Sequence, residues 1–213
     1  MTTVTAVAHP NLALVKYWGR RDAGLNLPAN SSISLTLGGA LTRTRVSFDE
    51  SLAADHFTLN GKSTVGNTLR VSNFLDHIRA LAGMTCFAMI ESENDFPESA
   101  GIASSASGFA ALALAGSRAA GLDLKPSDLT ILARKGSGSA CRSIHGGIVE
   151  WHAGVDDSSS TCQQLVSSEY WDLRVITVIV GEESKEYSSL TGHEAAWTSP
   201  LYQARLAALD DSL

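Results

Sequence analysis

Two periodicities interleave along this 213-residue chain, and no regular strand–helix–strand repeat joins them. Over residues 41–49, Thr42, Thr44, Val46 and Phe48 alternate with Arg43, Arg45 and Ser47. Period two predicts a strand with one buried face. Over residues 68–82, Val71, Phe74, Leu75, Ile78 and Leu81 recur at helical spacing, and Gly83 supplies a stop. Further strands are expected over 85–91, 148–152 and 173–180. Further helices are expected over 104–120, from Pro126 to about Lys135 with Ser127 as N-cap, and over 199–209. Asn60-Gly61 predicts a hairpin turn. Irregular mixing of this kind favours an α+β fold over a doubly wound sheet. The last expected strand and helix cannot bury their own apolar faces, so a C-terminal half is expected outside this chain.

Bulk properties exclude several classes. The net charge of −6 argues against a nucleic-acid binder, which usually presents a basic face. It does not exclude a small anionic ligand, because local cations can override the global sign. The longest near-apolar stretch, 109–115, is too short to span a bilayer. The opening MTTVTAVAHP lacks a basic stretch followed by an apolar one, so no signal peptide is expected. Cys86, Cys141 and Cys162 are odd in number and form no CxxC, which argues against a disulfide framework or zinc site. A reducing cytoplasm is the expected location.

Three loops rich in hydrogen-bond donors stand out. The first runs over residues 97–108, PESAGIASSASG, and opens an alanine-rich helix. The first turn of a helix leaves N–H groups unpaired, and the helix dipole adds positive charge there. Gly101 lets backbone approach a ligand, and Ser104, Ser105 and Ser107 add hydroxyls, one of which could bind Mg²⁺. This composition suits a phosphate cradle, although no Gly-Lys-Ser/Thr closes it. It equally suits a capped turn of small residues. The second is HPNLALVKYWGRRD, where Lys16, Tyr17, Arg20 and Arg21 cluster within six residues. It reads as an anion site or as a solvated basic turn. Trp18 is expected in the core, and His9 in a structural role. The third is ARKGSGSACRSIHGGIVEW, where Ser137, Ser139 and Arg142 can converge on one anion. Cys141 is expected to be buried filler beside His145. PANSSISLTL reads as a strand entered through turn residues Asn30, Ser31 and Ser32. Three anion-suited loops in one acidic chain point to two phosphorylated ligands at one site.

The combination NLALVKYWGRRD, LPANSSISLTL, SENDFPESAGIASSASGFAALA and ARKGSGSACRSIHGGIVEW strongly resembles the mevalonate diphosphate decarboxylase family of the GHMP kinase superfamily. The resemblance runs from about residue 4 to 205. It implies an N-terminal domain like ribosomal protein S5 domain 2, over 1–170, and the start of a truncated ferredoxin-like domain over 171–213. It implies ATP and Mg²⁺, a mevalonate diphosphate substrate and a homodimer. In the family, ATP phosphorylates the tertiary 3-hydroxyl; phosphate and CO₂ then leave to give isopentenyl diphosphate. The resemblance assigns catalysis to Arg142, held by Asn11. It assigns substrate binding to Lys16, Tyr17, Arg20, Ser137, Gly138, Ser139 and Ser189. It assigns ATP binding to Pro97, Gly101, Ser104, Ser105, Ser107 and Lys185, with Ser105 on the metal. Arg20 stands where the family has lysine. Ser188-Ser189-Leu190-Thr191-Gly192-His193 stands where the family reads SSTxGM, and relatives that take mevalonate monophosphate share most of these motifs. The family's catalytic aspartate motif has no counterpart here. The expectation is therefore a part of a longer enzyme, inactive by itself, with a silent phosphate-binding paralogue as the alternative.

Overall fold

A computed structural model describes residues 2–97, 103–178 and 189–209. The strands are β1 (Val4–Ala8), β2 (Asn11–Val15), β3 (Arg20–Asp22), β4 (Leu27–Pro28), β5 (Ser32–Thr36), β6 (Thr42–Asp49), β7 (His56–Leu59), β8 (Phe87–Asn94), β9 (Ile148–Trp151) and β10 (Cys162–Val166). The helices are α1 (Val65–Ala82), α2 (Ser104–Ala119), α3 (Pro126–Gly136), α4 (Ser189–Ala195) and α5 (Tyr202–Ala207), with 3₁₀ turns at Gly138–Ser143 and Ala196–Thr198. The class is α+β, as the mixed periodicities predict. One sheet runs β1-β6-β8-β7, antiparallel except for β7 beside β8. A second, antiparallel sheet runs β10-β9-β5-β2.

The alternation in β6 does what period two requires. Thr42, Thr44, Val46 and Phe48 are buried, while Arg43 and Arg45 are exposed. Each of the two threonines pairs with a buried serine hydroxyl: Thr42 Oγ1 lies 2.6 Å from Ser107 Oγ and Thr44 Oγ1 lies 2.9 Å from Ser92 Oγ. α2 packs on β1 and β6 and also touches α1 and α3. Its small residues permit that: Ala106, Ala110, Ala111, Ala113 and Ala115 are all buried. At Gly116 an added Cβ would stand 2.7 Å from Ile78 Cδ1.

Several local expectations need correction. α1 starts at Val65 because Thr64 Oγ1 accepts the Asn67 N–H. Asn60 and Gly61 do form a left-handed turn, at φ 49° and 74°, closing a Leu59–Lys62 bridge. The hairpin ends there, since the chain enters α1 and returns as β8 parallel to β7. Ser127 is not the cap of α3. Pro126 takes the first helical position, which suits its fixed φ, and the cap falls on Lys125 without a side-chain bond. The strand expected over 173–180 is not formed over its described part, 173–178. The final helix is shorter than expected and is preceded by α4, whose seven residues escaped the periodicity reading. Cys141 is buried, and His9 Nδ1 bonds the Ala40 carbonyl at 2.7 Å, both as expected.

α5 reaches back to the start of the chain. Tyr202 Oη donates to the Trp18 carbonyl at 2.8 Å, and Arg205 donates to the Lys16 carbonyl at 2.6 Å. Elsewhere, buried Asp55 accepts from both terminal nitrogens of Arg79 (3.1 and 3.0 Å), from Ser72 Oγ and from the Ala88 N–H. It thereby ties the loop before β7 to α1 and β8. Removing one partner of a buried pair leaves an uncompensated charge. Asp55→Ala is therefore expected to cost about 3–5 kcal/mol in urea unfolding; a change below about 1 kcal/mol would show that the network carries little.

Candidate active site

A cleft of about 750 Å³ opens where β2, α1, the mouth of α2, the end of α3 and α4 meet. Its described lining includes five cations, Lys16, Arg20, Arg70, Lys135 and Arg142, and no carboxylate. An acidic protein thus concentrates positive charge on one concave surface, the local override that a phosphorylated ligand requires.

Arg142 sits deepest. The 3₁₀ turn Gly138–Ser143 follows α3 directly, with the Ala140 N–H on the Ser137 carbonyl at 2.8 Å. That turn aims Arg142 inward, leaving it 2% exposed. Its guanidinium donates to Ser32 Oγ at 2.6 Å and to Asn11 Oδ1 at 3.3 Å. Asn11 is itself fixed by donating to Ser143 Oγ at 2.8 Å and to the Ser139 carbonyl. Arg142 has no carboxylate partner among the described residues, and its Nε is buried without a hydrogen bond. A buried, uncompensated guanidinium is costly unless something negative joins it.

Tyr17 packs edge-on against Trp151, with ring centroids 4.7 Å apart, and stacks on His193 at 4.5 Å. Burial pushes its hydroxyl up to about 12, with Arg142 opposing, so it stays protonated and able to donate a hydrogen bond at neutral pH. Arg20 donates to Asn26 Oδ1 at 2.9 Å, and Asn26 caps the end of α3 by donating to the Arg134 and Lys135 carbonyls. Ser137 bridges two loops, with its Oγ 3.3 Å from Ser105 Oγ and 3.5 Å from Ser139 Oγ.

The structure therefore gathers Asn11, Lys16, Tyr17, Arg20, Ser105, Ser137, Gly138, Ser139 and Arg142 around one space. It does not gather all the expected residues. Ser107 faces away from the cleft, buried between α2 and β6, because its position on the helix points it at Thr42. Ser104 and Pro97 lie outside the lining, and Pro97 is exposed. Ser189 opens α4. Gly101 and Lys185 lie outside the described residues. Trp18 is not core: it is 38% exposed and leans on His193 at 4.6 Å.

Further residues line or support the cleft. Ser32 read as a turn residue, yet it enters β5 and holds Arg142. Arg70, Asn73 and His77 line the cleft from α1. Their i, i+3, i+7 spacing beside the apolar stripe was the available signal. His193 carried no local signal, because its partners lie 174 residues and more away. Its Nδ1 accepts the Gly19 N–H at 3.1 Å. Burial, with Arg20 adding to it, holds the imidazole down at about 4, so the ring is neutral.

Residues 8–162 match the diphosphomevalonate decarboxylase-like N-terminal domain. The chain belongs to this family. It is 40% identical to diphosphomevalonate decarboxylase of Eremothecium gossypii over 95% of this chain and 56% of that protein. It is 38% identical to the Homo sapiens protein of that name, over 96% of this chain and 56% of the relative. The chain thus spans about half the length of these curated relatives. Mevalonate diphosphate decarboxylase from Staphylococcus aureus superposes with a TM-score of 0.91 at 40% identity, over 98% of this chain and 64% of that one. MDDEF in complex with MVAPP, AMPPCP and magnesium superposes at 0.89 with 42% identity, over 98% and 65%. The GHMP-kinase-like fold expected from the motifs is therefore the fold observed.

Two outcomes follow from this geometry. A Cβ added at Gly138 would stand 2.6 Å from Tyr17 Oη and 3.3 Å from the Trp151 ring. Gly138→Ala should displace Tyr17 and cost about 1–3 kcal/mol of overpacking in urea unfolding. His193 has a folded value below the ordinary 6.5, so the undocked helix binds the proton more readily. Docking of α4 should hold above pH 6.5 and weaken as pH falls toward 4. Faster amide exchange over 189–195 at pH 5 than at pH 7.5, corrected for the intrinsic rate, is the expected reading.

Proposed function

We propose that this chain supplies the nucleotide- and substrate-binding part of an ATP-dependent decarboxylase acting on mevalonate 5-diphosphate. The observation that supports it best is Arg142: a nearly inaccessible guanidinium with no acidic partner among the described residues, at the floor of a cationic cleft. A carboxylate of the substrate is the counter-ion it lacks. Asn11 and Ser32 hold the guanidinium plane, so the carboxylate is bound in one orientation. The chain's own part is to keep that carboxylate dry and aligned while its electron pair moves toward C3. Lys16, Tyr17 and Arg20 line the side suited to the diphosphate. Ser105 and Ser137 line the side suited to the nucleotide, with Arg70 and Lys135 as nearby cations.

Bound ATP supplies the phosphoryl group that turns a tertiary hydroxyl into a leaving group. The donor set fits a nucleotide carried with its own Mg²⁺. Cations and hydroxyls are present to hold phosphates, and among the described residues no cluster of acidic, histidine or cysteine side chains forms a separate metal site. Ser105 Oγ is the hydroxyl we assign to that ion.

The proposal carries a division at residue 170. The segment 171–178 shows exposed Trp171, Ile176 and Val178, as suits the entry to a second domain. It also carries a cytoplasmic homodimer. Among the described residues no helix is long and apolar enough to cross a membrane. Mevalonate monophosphate is the second reading, and one observation favours it: Glu194 lies 3.2 Å from Arg20.

The test uses the full-length protein with ATP and mevalonate diphosphate, following phosphate and CO₂ release. Arg142→Gln should lower turnover about 10²–10³-fold. Its unfolding midpoint should hold or rise, because a buried unpaired charge has been removed. Parent protein that releases neither product, or an Arg142→Gln variant that keeps its activity, would overturn the reading.

A further inference from the structure

We propose that Glu194 is an internal counter-anion for Arg20, and that it limits how much phosphate charge this end of the cleft accepts. The inference rests on reading the cleft as a phosphate site, and it adds a determinant of which phosphate.

Arg20 is fixed before any ligand arrives. Its side chain is 11% exposed, one terminal nitrogen is held by Asn26 at 2.9 Å, and the other faces Glu194 Oε1 at 3.2 Å. Glu194 is different: its side chain is 64% exposed and Arg20 is its one ion-pair partner among the described residues. Exposed pairs of this kind are weak and exchange readily with another anion. What keeps the carboxylate in place is its neighbour. His193 is wedged against Tyr17 and Trp18 and accepts the Gly19 N–H, which pins α4 over the cleft. Glu194, next in sequence, stays beside Arg20 whether or not it remains bonded to it.

α4 therefore brings one negative charge and no positive one to the phosphate end. The wedge is a neutral imidazole. The charges facing Glu194 there are those of Arg20 and, farther along the lining, Lys16 and Arg142. A phosphate that reaches Arg20 meets a carboxylate within the range where screening by salt is incomplete. That repulsion grows with the charge of the ligand. A diphosphate is disfavoured more than a monophosphate, so Glu194 shifts the preference of the site toward the less charged group.

The experiment measures binding of inorganic pyrophosphate and inorganic phosphate to the full chain by calorimetry, at low and high salt. Glu194→Gln keeps the shape and removes the charge. At low salt it should tighten pyrophosphate about fivefold, the factor a 1 kcal/mol pair represents, and phosphate by less. The gain should shrink at high salt and vanish in the Arg20→Gln background. Glu194→Asp should restore the parent ratio. Equal affinities in parent and Glu194→Gln, a gain that survives without Arg20, or no binding by either variant would overturn the proposal. If the inorganic probes behave as expected while mevalonate phosphates do not bind, the functional reading fails and the role of Glu194 stands.

Discussion

The site depends on a charge that this fold buries without neutralising. Arg142 lies within the 3₁₀ turn Gly138–Ser143, with two neutral hydrogen-bond partners and no acid among the described residues. Arg134, eight residues earlier and equally buried, shows the ordinary solution: it pairs with Asp157 and binds the Ser160 carbonyl. The contrast separates an arginine neutralised within the fold from one left with neutral partners alone. Stability lost at Arg142 has to be made up elsewhere, and the apolar layer between α2 and the β1-β6-β8-β7 sheet is the obvious source.

That layer also decides where the cleft can form. α2 is buried on most sides, and its alanines and Gly116 let α1 approach until Ile78 of α1 lies against Gly116. Its first turn then opens beside the end of α3, so that Ser105 and Ser137 face each other. The small residues that made the start of α2 look like a phosphate cradle therefore act in two ways. Ala103, at φ 53°, turns the chain into the helix at the rim of the cleft, while Ser107 belongs to the packing below.

Period-two and period-3.6 patterns were enough to find β6 and α1, because burial on one face writes itself into local sequence, and α2 showed in its run of alanines. The composition of the three donor-rich loops was enough to place Lys16, Tyr17, Arg20, Ser137 and Arg142 together. What failed was phase and reach. Whether Ser105 or Ser107 faces the cleft depends on a rotation of 200° along one helix, which composition does not encode. The cap of α3 moved to Lys125 because Pro126 already satisfies the first helical position. Ser32, Asn26 and His193 act through partners more than a hundred residues away, and nothing adjacent to them in sequence marks it.

The clamp from α5 has a consequence for the order of events during synthesis. The turn that carries Lys16, Trp18 and Gly19 is made well before the side chains that hold it. The side chains that tie it down, His193, Tyr202 and Arg205, follow it by more than 170 residues. Contacts across such separations close late, after the intervening loop entropy has been overcome. A nascent chain can thus hold a finished core while the rim of its cleft is still untied. Closure of that rim awaits the synthesis of α4 and α5 and their docking onto the turn that follows β2.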